Sequence, residues 1–203
     1  LVIDHARAPG EKIRISGGGR CNFTNLHAGP ENFLSQNPHF CKSALSRYTQ
    51  WDFIDLIARH AIPYHEKTLG QLFCDRSARD IITMLRSEMQ SAGAELWLDT
   101  HVRAVAHDGH VFRVTLEQHG NRRTLTAENL VLATGGKSIP KMGATGLAYD
   151  IARQFGLNVI TPRPALVPLT LGPDDQAFRE ISGVSFPSKA ALGDISFEEA
   201  ALF

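Results

Sequence analysis

Three successive glycines form the centre of the segment best suited to bind a ligand. Gly17, Gly18 and Gly19 have no Cβ atom, so their backbone can turn with positive φ and direct N–H groups at an anion or a flat ring. The apolar run Ile13-x-Ile15 precedes them and a polar run follows, which favours a binding turn over a flexible linker. The residues expected to line the turn are Ser16, Gly17, Gly18, Gly19, Arg20, Cys21 and Asn22.

A second glycine turn follows a predicted strand. Residues 129–133 form a short apolar run, typical of a parallel strand covered on both faces. Open α/β sheets bind ligands at the carboxyl ends of their strands. Gly143 and Gly146 lead into a predicted helix over 146–155, whose N-terminus favours an anion, although a simple turn and cap explain the same residues. The residues expected at this site are Ala133, Thr134, Gly135 and Gly136.

Asp4 directly follows the apolar run Leu1-Val2-Ile3. In a dinucleotide-binding βαβ unit, an acid at the end of a strand accepts hydrogen bonds from the adenosine ribose hydroxyls. The glycine fingerprint of such a unit lies about 20 residues earlier, which here is upstream of residue 1. An acid after a strand is also a common surface turn residue, so both interpretations stay open.

Cysteine and histidine residues provide weaker signals. Three cysteines without a C-x-x-C pair predict reduced thiols, and no second ligand pair supports a zinc site beside His39 and Cys41. A redox role for Cys21 requires the fold to bring another cysteine to it, so a packed thiol is favoured. None of the candidate proton donors lies in a glycine-rich loop, and none is assigned a role: His60, His65, His101, His107 and His110.

The remaining pattern predicts a globular α/β protein. The chain has 203 residues, of which 43% are apolar and 21% charged. Apolar spacing predicts a helix starting at Asn37-Pro38, a second over 53–61 and a third from Ser77 to Gly93. Alternation over 103–127, with a turn at Asp108-Gly109, predicts an antiparallel meander. A central parallel sheet is expected to include 129–133 and Val159-Ile160.

Prolines after residue 161 mark a connection to a second domain, with the boundary near residue 165. The chain starts inside a strand-like run and stops without a polar tail, so we expect a piece of a longer protein. No apolar run approaches the ~18 residues of a membrane span, and no signal pattern is present, so a cytoplasmic location is expected.

The charge balance argues against a polyanionic partner. Lys plus Arg and Asp plus Glu each number 21, so no long-range field attracts nucleic acid or an anionic membrane. The pair Arg122-Arg123 is too small a basic cluster to support a nucleic-acid-modifying enzyme. A strongly basic RNA-binding surface is therefore not expected, while a local basic patch stays open. The partner expected is a small-molecule substrate.

The stretch Ile13 to Asn25, IRISGGGRCNFTN, resembles the signature of bacterial NAD(P)/FAD-dependent oxidoreductases of the BaiN type. Three further segments fit the same family in the same order: Leu69 to Cys74, Leu132 to Pro140 and Arg163 to Leu169. The resemblance extends from residue 1 to about residue 171. It implies an α/β fold, with a partial FAD/NAD(P)-binding Rossmann-like domain and a small β meander over 1–165. Residues 166–203 would start an inserted, mostly-β substrate-side domain.

The same resemblance implies roles for individual residues. Asp4 corresponds to the ribose-binding acid, and the triple-glycine loop lies close to the flavin or its pyrophosphate. Ala133-Thr134-Gly135 leads back into the FAD site, and the Val102 backbone contacts the adenine. The family's N-terminal glycine fingerprint and C-terminal part are absent from this sequence, so the chain alone is expected to bind FAD poorly.

The expected function is that of an FAD-dependent oxidoreductase with NAD(P)H as electron donor, and reduction of a conjugated C=C bond is one activity that fits. The cofactor carries the redox chemistry, while the protein supplies position and charge. Amides of Gly18, Gly19 or Arg20, and the cations of Arg20 or Lys137, are candidates to stabilise negative charge near flavin N1. A noncatalytic nucleotide- or flavin-binding regulatory module would keep the same glycine turns.

Overall fold

The computed structural model describes residues 1–140, 143–163, 170 and 172–202. Its backbone divides into two compact units, Leu1–Val159 and Ile160–Phe203, and each is described by itself. The helices and strands of the first unit are β1 (Val2–Ile3), α1 (Glu11–Ile15), β2 (Asn22–Asn25), α2 (Lys42–Arg47), α3 (Gln50–Arg59), β3 (Tyr64–Glu66), β4 (Gln71–Cys74), α4 (Ala78–Ser91), β5 (Leu96–Trp97), β6 (Thr100–His107), β7 (Phe112–Gln118), β8 (Asn121–Ala127) and α5 (Leu147–Gln154).

A parallel strand pair places Asp4 at a sheet edge. β1 pairs with β5 through Val2 with Leu96 and Ile3 with Trp97. The connection between these strands contains α1 to α4, because parallel strands need a long crossover. Asp4 therefore lies at the carboxyl end of β1, the end at which α/β folds bind ligands.

A helical layer packs on a three-stranded antiparallel sheet of order β2-β4-β3. The helices α3 and α4 form where the apolar spacing predicts them. Thr49 and Asp52 close a capping box at the start of α3, and the Thr49 hydrogen bonds lower the pKa of Asp52. The buried residues of this core are Cys21, Leu56, Ile57, Ile62, Cys74, Ala78, Ile81 and Met84.

The helix predicted from Asn37 begins later than expected. Asn37 Oδ1 accepts the N–H of His39 at 3.1 Å, which closes a local turn, and α2 starts only at Lys42. Asparagine side chains compete for backbone donors in this way. The predicted start is therefore wrong, although a helix is present.

The predicted meander is confirmed. β6, β7 and β8 pair in sequence order and in antiparallel register. Helix α5 packs on this sheet through Ile151, as its apolar spacing requires. The buried residues of the second core are Val105, Val114, Leu116 and Ile151.

The strand predicted over 129–133 does not form. These residues are irregular, and Val131 is 84% exposed. A strand needs a neighbour for its ladder hydrogen bonds, and none of the described strands pairs with this run. Ala133 and Thr134 are consequently exposed, and the predicted strand at Val159-Ile160 is likewise absent from the described backbone.

The second unit contains a hairpin. A 3-10 turn over Pro173–Ile181 precedes β9 (Ser185–Leu192) and β10 (Ile195–Leu202), which pair in antiparallel register. The boundary predicted near residue 165, and most of the family-like segment over 163–169, lie outside the described residues. The two-domain division at that position stays a prediction.

Across the described residues, the structure contains no helix with the length and apolar character that a membrane span requires.

Candidate functional site

The triple-glycine segment is a left-handed turn at the end of a short helix. Helix α1 ends at Ile15, and the 3-10 turn Ser16–Gly19 follows directly. The φ angles of Gly17, Gly18 and Gly19 are +56°, +65° and +87°. L-residues with side chains rarely adopt these values, so the backbone itself requires glycine here.

Gly17 and Gly18 have different surroundings. A Cβ atom on Gly17 would lie 2.6 Å from Cε1 of Phe73 and 2.8 Å from the amide nitrogen of Asn22. A Cβ atom on Gly18 would have no neighbouring heavy atom within 4 Å. Gly17 therefore packs the turn onto the sheet, whereas Gly18 presents open backbone that a flat ligand can approach.

The amides that close the turn are used within it. The N–H of Arg20 donates to the Gly17 carbonyl oxygen at 3.3 Å, and the N–H of Cys21 donates to the Ser16 carbonyl oxygen at 3.0 Å. The Arg20 amide is therefore occupied within the turn, whereas the Arg20 guanidinium is exposed. Within the described ranges, that guanidinium has no ion pair.

Cys21 is buried directly before β2, and the exposed Asn22 is the first residue of that strand. Cys21 is buried in the same core as Cys74, and burial, reinforced by the neighbouring Cys21, raises the pKa of Cys74 to about 11. All three cysteines are free in the structure. The Asn22 carboxamide donates to the carbonyl oxygens of Thr24 and Leu72, at 3.1 and 3.2 Å, when its nitrogen faces them.

Lys12 joins the second glycine turn to the first. It lies on α1, just before the triple-glycine turn, and its Nζ donates to the Gly136 carbonyl oxygen at 3.4 Å and to Ser138 Oγ at 3.2 Å. A Cβ atom on Gly135 would lie 3.9 Å from the same Nζ. The structure therefore brings together two turns whose linking residues, Lys12 and Gly136, are 124 positions apart.

Asp4 has a carboxylate oxygen available to a ligand. Its Oδ1 accepts the N–H of Ala6 at 2.9 Å, and its backbone carbonyl oxygen accepts the N–H of Thr100 at 3.1 Å. Among the described residues, nothing donates a hydrogen bond to Oδ2. A Cβ atom on Gly143 would lie 2.7 Å from Nε2 of His5, so the loop before α5 reaches the same edge.

Val102 lies near this edge as well. It is two residues beyond Thr100 in β6, at a register shift in the pairing with β7. Its half-buried side chain and that of Ile3 pack against the same core cluster. The residue left without a partner there is Arg103, whereas Val102 pairs with Leu116, so the adenine contact that the resemblance implies for Val102 stays a prediction.

Phe73 lies between the triple-glycine turn and His65 on the β2-β4-β3 sheet. Phe73 pairs with Asn22 on one side and with His65 on the other. The rings of His65 and Phe73 stack, with centroids 6.2 Å apart and an interplanar angle of 18°. His65 Nδ1 lies 2.7 Å from Oδ1 of Asp75. The sequence analysis assigned no role to His65. The only sequence feature that relates to its position is the alternation of side chains along the short strand β3.

These residues fit a dinucleotide that ends in a flat ring system. Asp4 offers an acceptor for ribose hydroxyls, and the open backbone at Gly18 offers a surface that a side chain would obstruct. The Lys12 ammonium holds the Gly136 turn beside α1 and places a positive charge there. No group of three or more potential metal ligands is found in the described part of the chain.

A parallel strand pair with an acid at its carboxyl end, flanked by two linked glycine turns, defines a dinucleotide-binding α/β domain of the Rossmann type. The chain belongs to the family described as the HI0933-like protein Rossmann domain, whose model matches residues 1–201. This match confirms the predicted fold class and makes the protein a member of a flavoprotein oxidoreductase family.

Three proteins of known name are similar in sequence to this chain. The chain is 51% identical, over its whole length, to a ribosomal RNA dihydrouridine synthase of Escherichia coli K12, of which it covers 50%. It is 48% identical to the protein of that name from Haemophilus influenzae Rd, again over its whole length and 51% of the relative. A 3-dehydro-bile acid delta(4,6)-reductase of Clostridium scindens is 25% identical over 94% of the chain and 45% of that protein.

The chain thus spans about half the length of the curated relatives it matches. The resemblance to flavin-dependent oxidoreductases is confirmed at the level of the HI0933-like family. The narrower BaiN type is not confirmed, because the relatives with about half of their residues identical bear a different name.

Proposed function

We propose that the protein is an FAD-dependent reductase that converts a uridine of ribosomal RNA to dihydrouridine, with NAD(P)H as electron donor. The observation that carries the proposal is the 51% and 48% identity, over the whole chain, to two relatives named for this reaction. The C5=C6 bond of uracil is conjugated with the C4 carbonyl. This substrate therefore belongs to the chemical class that the sequence analysis favours, a conjugated C=C bond.

In this proposal the described residues bind and orient the cofactor. Asp4 accepts hydrogen bonds from the adenosine ribose, and the open backbone at Gly18 lies against the pyrophosphate or the ring system. Lys12 and Lys137 supply positive charge near the second glycine turn. When bound, the flavin supplies hydride-transfer chemistry.

An RNA substrate needs local contacts, because the net formal charge of the chain is zero. Three arginines of the meander are paired with carboxylates, and a fourth, Arg123, lies over the Trp97 ring at 3.5 Å. The Glu117 carboxylate accepts hydrogen bonds from Arg103 and Arg122, which lower its pKa to about 2 and keep it ionised beside them. Arg113 is similarly paired with Asp108.

The segment 27–51 is better suited to a single RNA strand. It contains Lys42 and Arg47 but only one acid, Glu31, and within the described ranges neither cation has an ion pair. Aromatic side chains interleaved with cations stack on unpaired bases and attract the phosphate backbone. The exposed aromatic residues of the segment are Phe33, Phe40, Tyr48 and Trp51. We propose that segment 27–51 is the face of the protein that contacts the RNA.

The double variant Phe40→Ala/Trp51→Ala is expected to weaken binding of a uridine-containing RNA fragment by about 30-fold or more. Each base–aromatic stack contributes about 1–3 kcal/mol, and Phe40 and Trp51 are 83% and 56% exposed. Fluorescence anisotropy of a labelled rRNA fragment with the full-length protein measures the change. Leu157→Ala, at an exposed apolar residue of the first unit outside this segment, is the control and should bind normally. Unchanged RNA affinity together with a lower Tm would mean that segment 27–51 packs within the protein instead.

The function itself is tested with the full-length flavoprotein and with rRNA from cells that lack it. Incubation with NADPH or NADH under anaerobic conditions should bleach the visible flavin band, and RNA should then restore it. Mass spectrometry of the digested RNA should show a gain of two hydrogens on one uridine. A flavin that NAD(P)H never reduces would favour the regulatory module. A reducible flavin that leaves uridine unchanged would favour a small-molecule substrate, such as a steroid of the bile-acid class.

A further inference from the structure

Among the described residues of the first unit, three histidines pair with carboxylates. The His5–Asp4 pair, at 3.7 Å, follows β1, and the two closer pairs differ in their surroundings. His60 Nε2 lies 2.6 Å from Oε1 of Glu88, and this pair links the end of α3 to α4. His65 Nδ1 lies 2.7 Å from Oδ1 of Asp75, and the imidazole lies on β3 with 44% of its side-chain surface exposed. The second pair lies on the sheet that supports the triple-glycine turn.

The strand register places His65 on the same face of the sheet as that turn. In an antiparallel sheet, directly opposed residues project from one face. Asn22, Phe73 and His65 are opposed in this way across β2, β4 and β3. The Phe73 ring contacts Gly17 at its Cε1 edge and stacks on the His65 ring. The Phe73 ring therefore lies between the imidazole and Gly17, the residue that precedes the open backbone at Gly18.

The imidazole is held in one orientation. The Asp75 carboxylate bonds Nδ1 and the Phe73 ring lies nearly parallel to it, so both the tilt and the rotation of the ring are restrained. Nε2 is directed away from Asp75, and no hydrogen bond to it is found in the described part of the chain. A carboxylate at one ring nitrogen with the other nitrogen open is the arrangement that positions histidine for proton transfer.

We propose that His65 is the catalytic proton donor in the reduction of the uracil ring, an inference that rests on the proposed function. NAD(P)H first reduces the flavin. The C5=C6 π bond of uracil then breaks as C6 takes a hydride from the reduced flavin. C5 takes the proton from Nε2 of the His65 imidazolium, and the N–H bonding pair stays on the ring. The neutral imidazole then regains a proton from water.

Two of the three cysteines are poorly placed for this step, and the thiol of the third, Cys41, is directed at the Pro30 carbonyl oxygen at 3.9 Å. Cys21 and Cys74 are buried, and the raised pKa of Cys74 reflects that burial. His60 is paired through Nε2 on the helical layer. Of the groups that border the triple-glycine turn through Phe73, His65 combines an exposed nitrogen with a carboxylate partner. The ammonium of Lys67 also lies at this ring, with its Nζ 5.3 Å from the Phe73 centroid.

The test separates the two half-reactions of the full-length flavoprotein by anaerobic stopped-flow spectroscopy. In His65→Gln, flavin reduction by NAD(P)H should stay within about twofold of wild type, because no proton reaches uracil in that step. Reoxidation by the rRNA substrate should slow by about 10²- to 10⁴-fold, the range for loss of a general acid. Added imidazole should restore part of the rate. His60→Gln removes the histidine paired with Glu88 and should leave both rates unchanged.

The outcomes distinguish this inference from the proposed function. Normal reoxidation in His65→Gln overturns the role of His65 while leaving the wild-type reaction intact. Failure of wild type itself to form dihydrouridine overturns the proposed function and this inference with it. If His65→Gln loses its flavin, the same two rates are measured in Asp75→Asn. This variant keeps the imidazole and removes the carboxylate that is bonded to it. A selective loss in reoxidation is then expected, and equal rates in both half-reactions overturn the inference.

Discussion

Gly17→Ala is expected to lower the free energy of unfolding by about 2–5 kcal/mol. The methyl group would meet Phe73 Cε1 at 2.6 Å and the Asn22 amide nitrogen at 2.8 Å, and overpacking of this kind costs about 1–3 kcal/mol. The φ of +56° adds about 1–2 kcal/mol for a residue with a Cβ atom. Urea denaturation of the full-length protein, followed by circular dichroism, measures the difference.

Gly18→Ala is the matched control, because it shares the positive φ but has free space for its methyl group. It should lose only the conformational part, about 1–2 kcal/mol. Equal destabilisation of the two variants would show that contact with Phe73 contributes nothing.

A bulky residue at position 18 has a different expected effect. Gly18→Leu should lower the flavin content of the purified protein, since the added side chain occupies the space that we assign to the cofactor.

Local pattern predicts much of this fold. The stripe of α3, the stripe of α4 and the alternation in the meander each reflect a period fixed by backbone geometry, so they are visible in one sequence. The run over 129–133 has a strand-like composition, yet it forms no strand. Its pairing depends on neighbours, and composition alone does not report whether they are present.

Some residues of the candidate site can likewise be predicted from local sequence, and others depend on distant contacts. Glycines and an acid after a strand are recognisable because each meets a local backbone or binding requirement, as at Gly17 and Asp4. The contribution of Lys12 depends on a contact with Gly136, 124 residues away. That of His65 depends on its register with Phe73. Long-range contacts of this kind have no signature in sequence spacing.

Asp4→Asn is expected to raise the dissociation constant for FAD of the full-length protein by about 10- to 100-fold. Hydrogen bonds to a charged group contribute about 1.5–3 kcal/mol, and each 1.4 kcal/mol is a factor of ten in affinity. The amide keeps one acceptor oxygen for the N–H of Ala6, so the turn after β1 should be preserved. It replaces the second oxygen with a donor, which cannot accept from a ribose hydroxyl. Flavin fluorescence during titration of the apoprotein measures the constant.

The control for this change is Asp99→Asn, which removes a carboxylate from the same edge of the fold. The Asp99 N–H donates to the Ala6 carbonyl oxygen, and its side chain pairs with Arg7 at 3.8 Å. Because that pair is exposed and weak, FAD affinity should change by less than about twofold. Equal weakening in both variants would indicate a general effect of negative charge. Wild-type affinity in Asp4→Asn would remove Asp4 from the ribose site, and the assignment of this sheet edge to the adenosine half of the cofactor would fail with it.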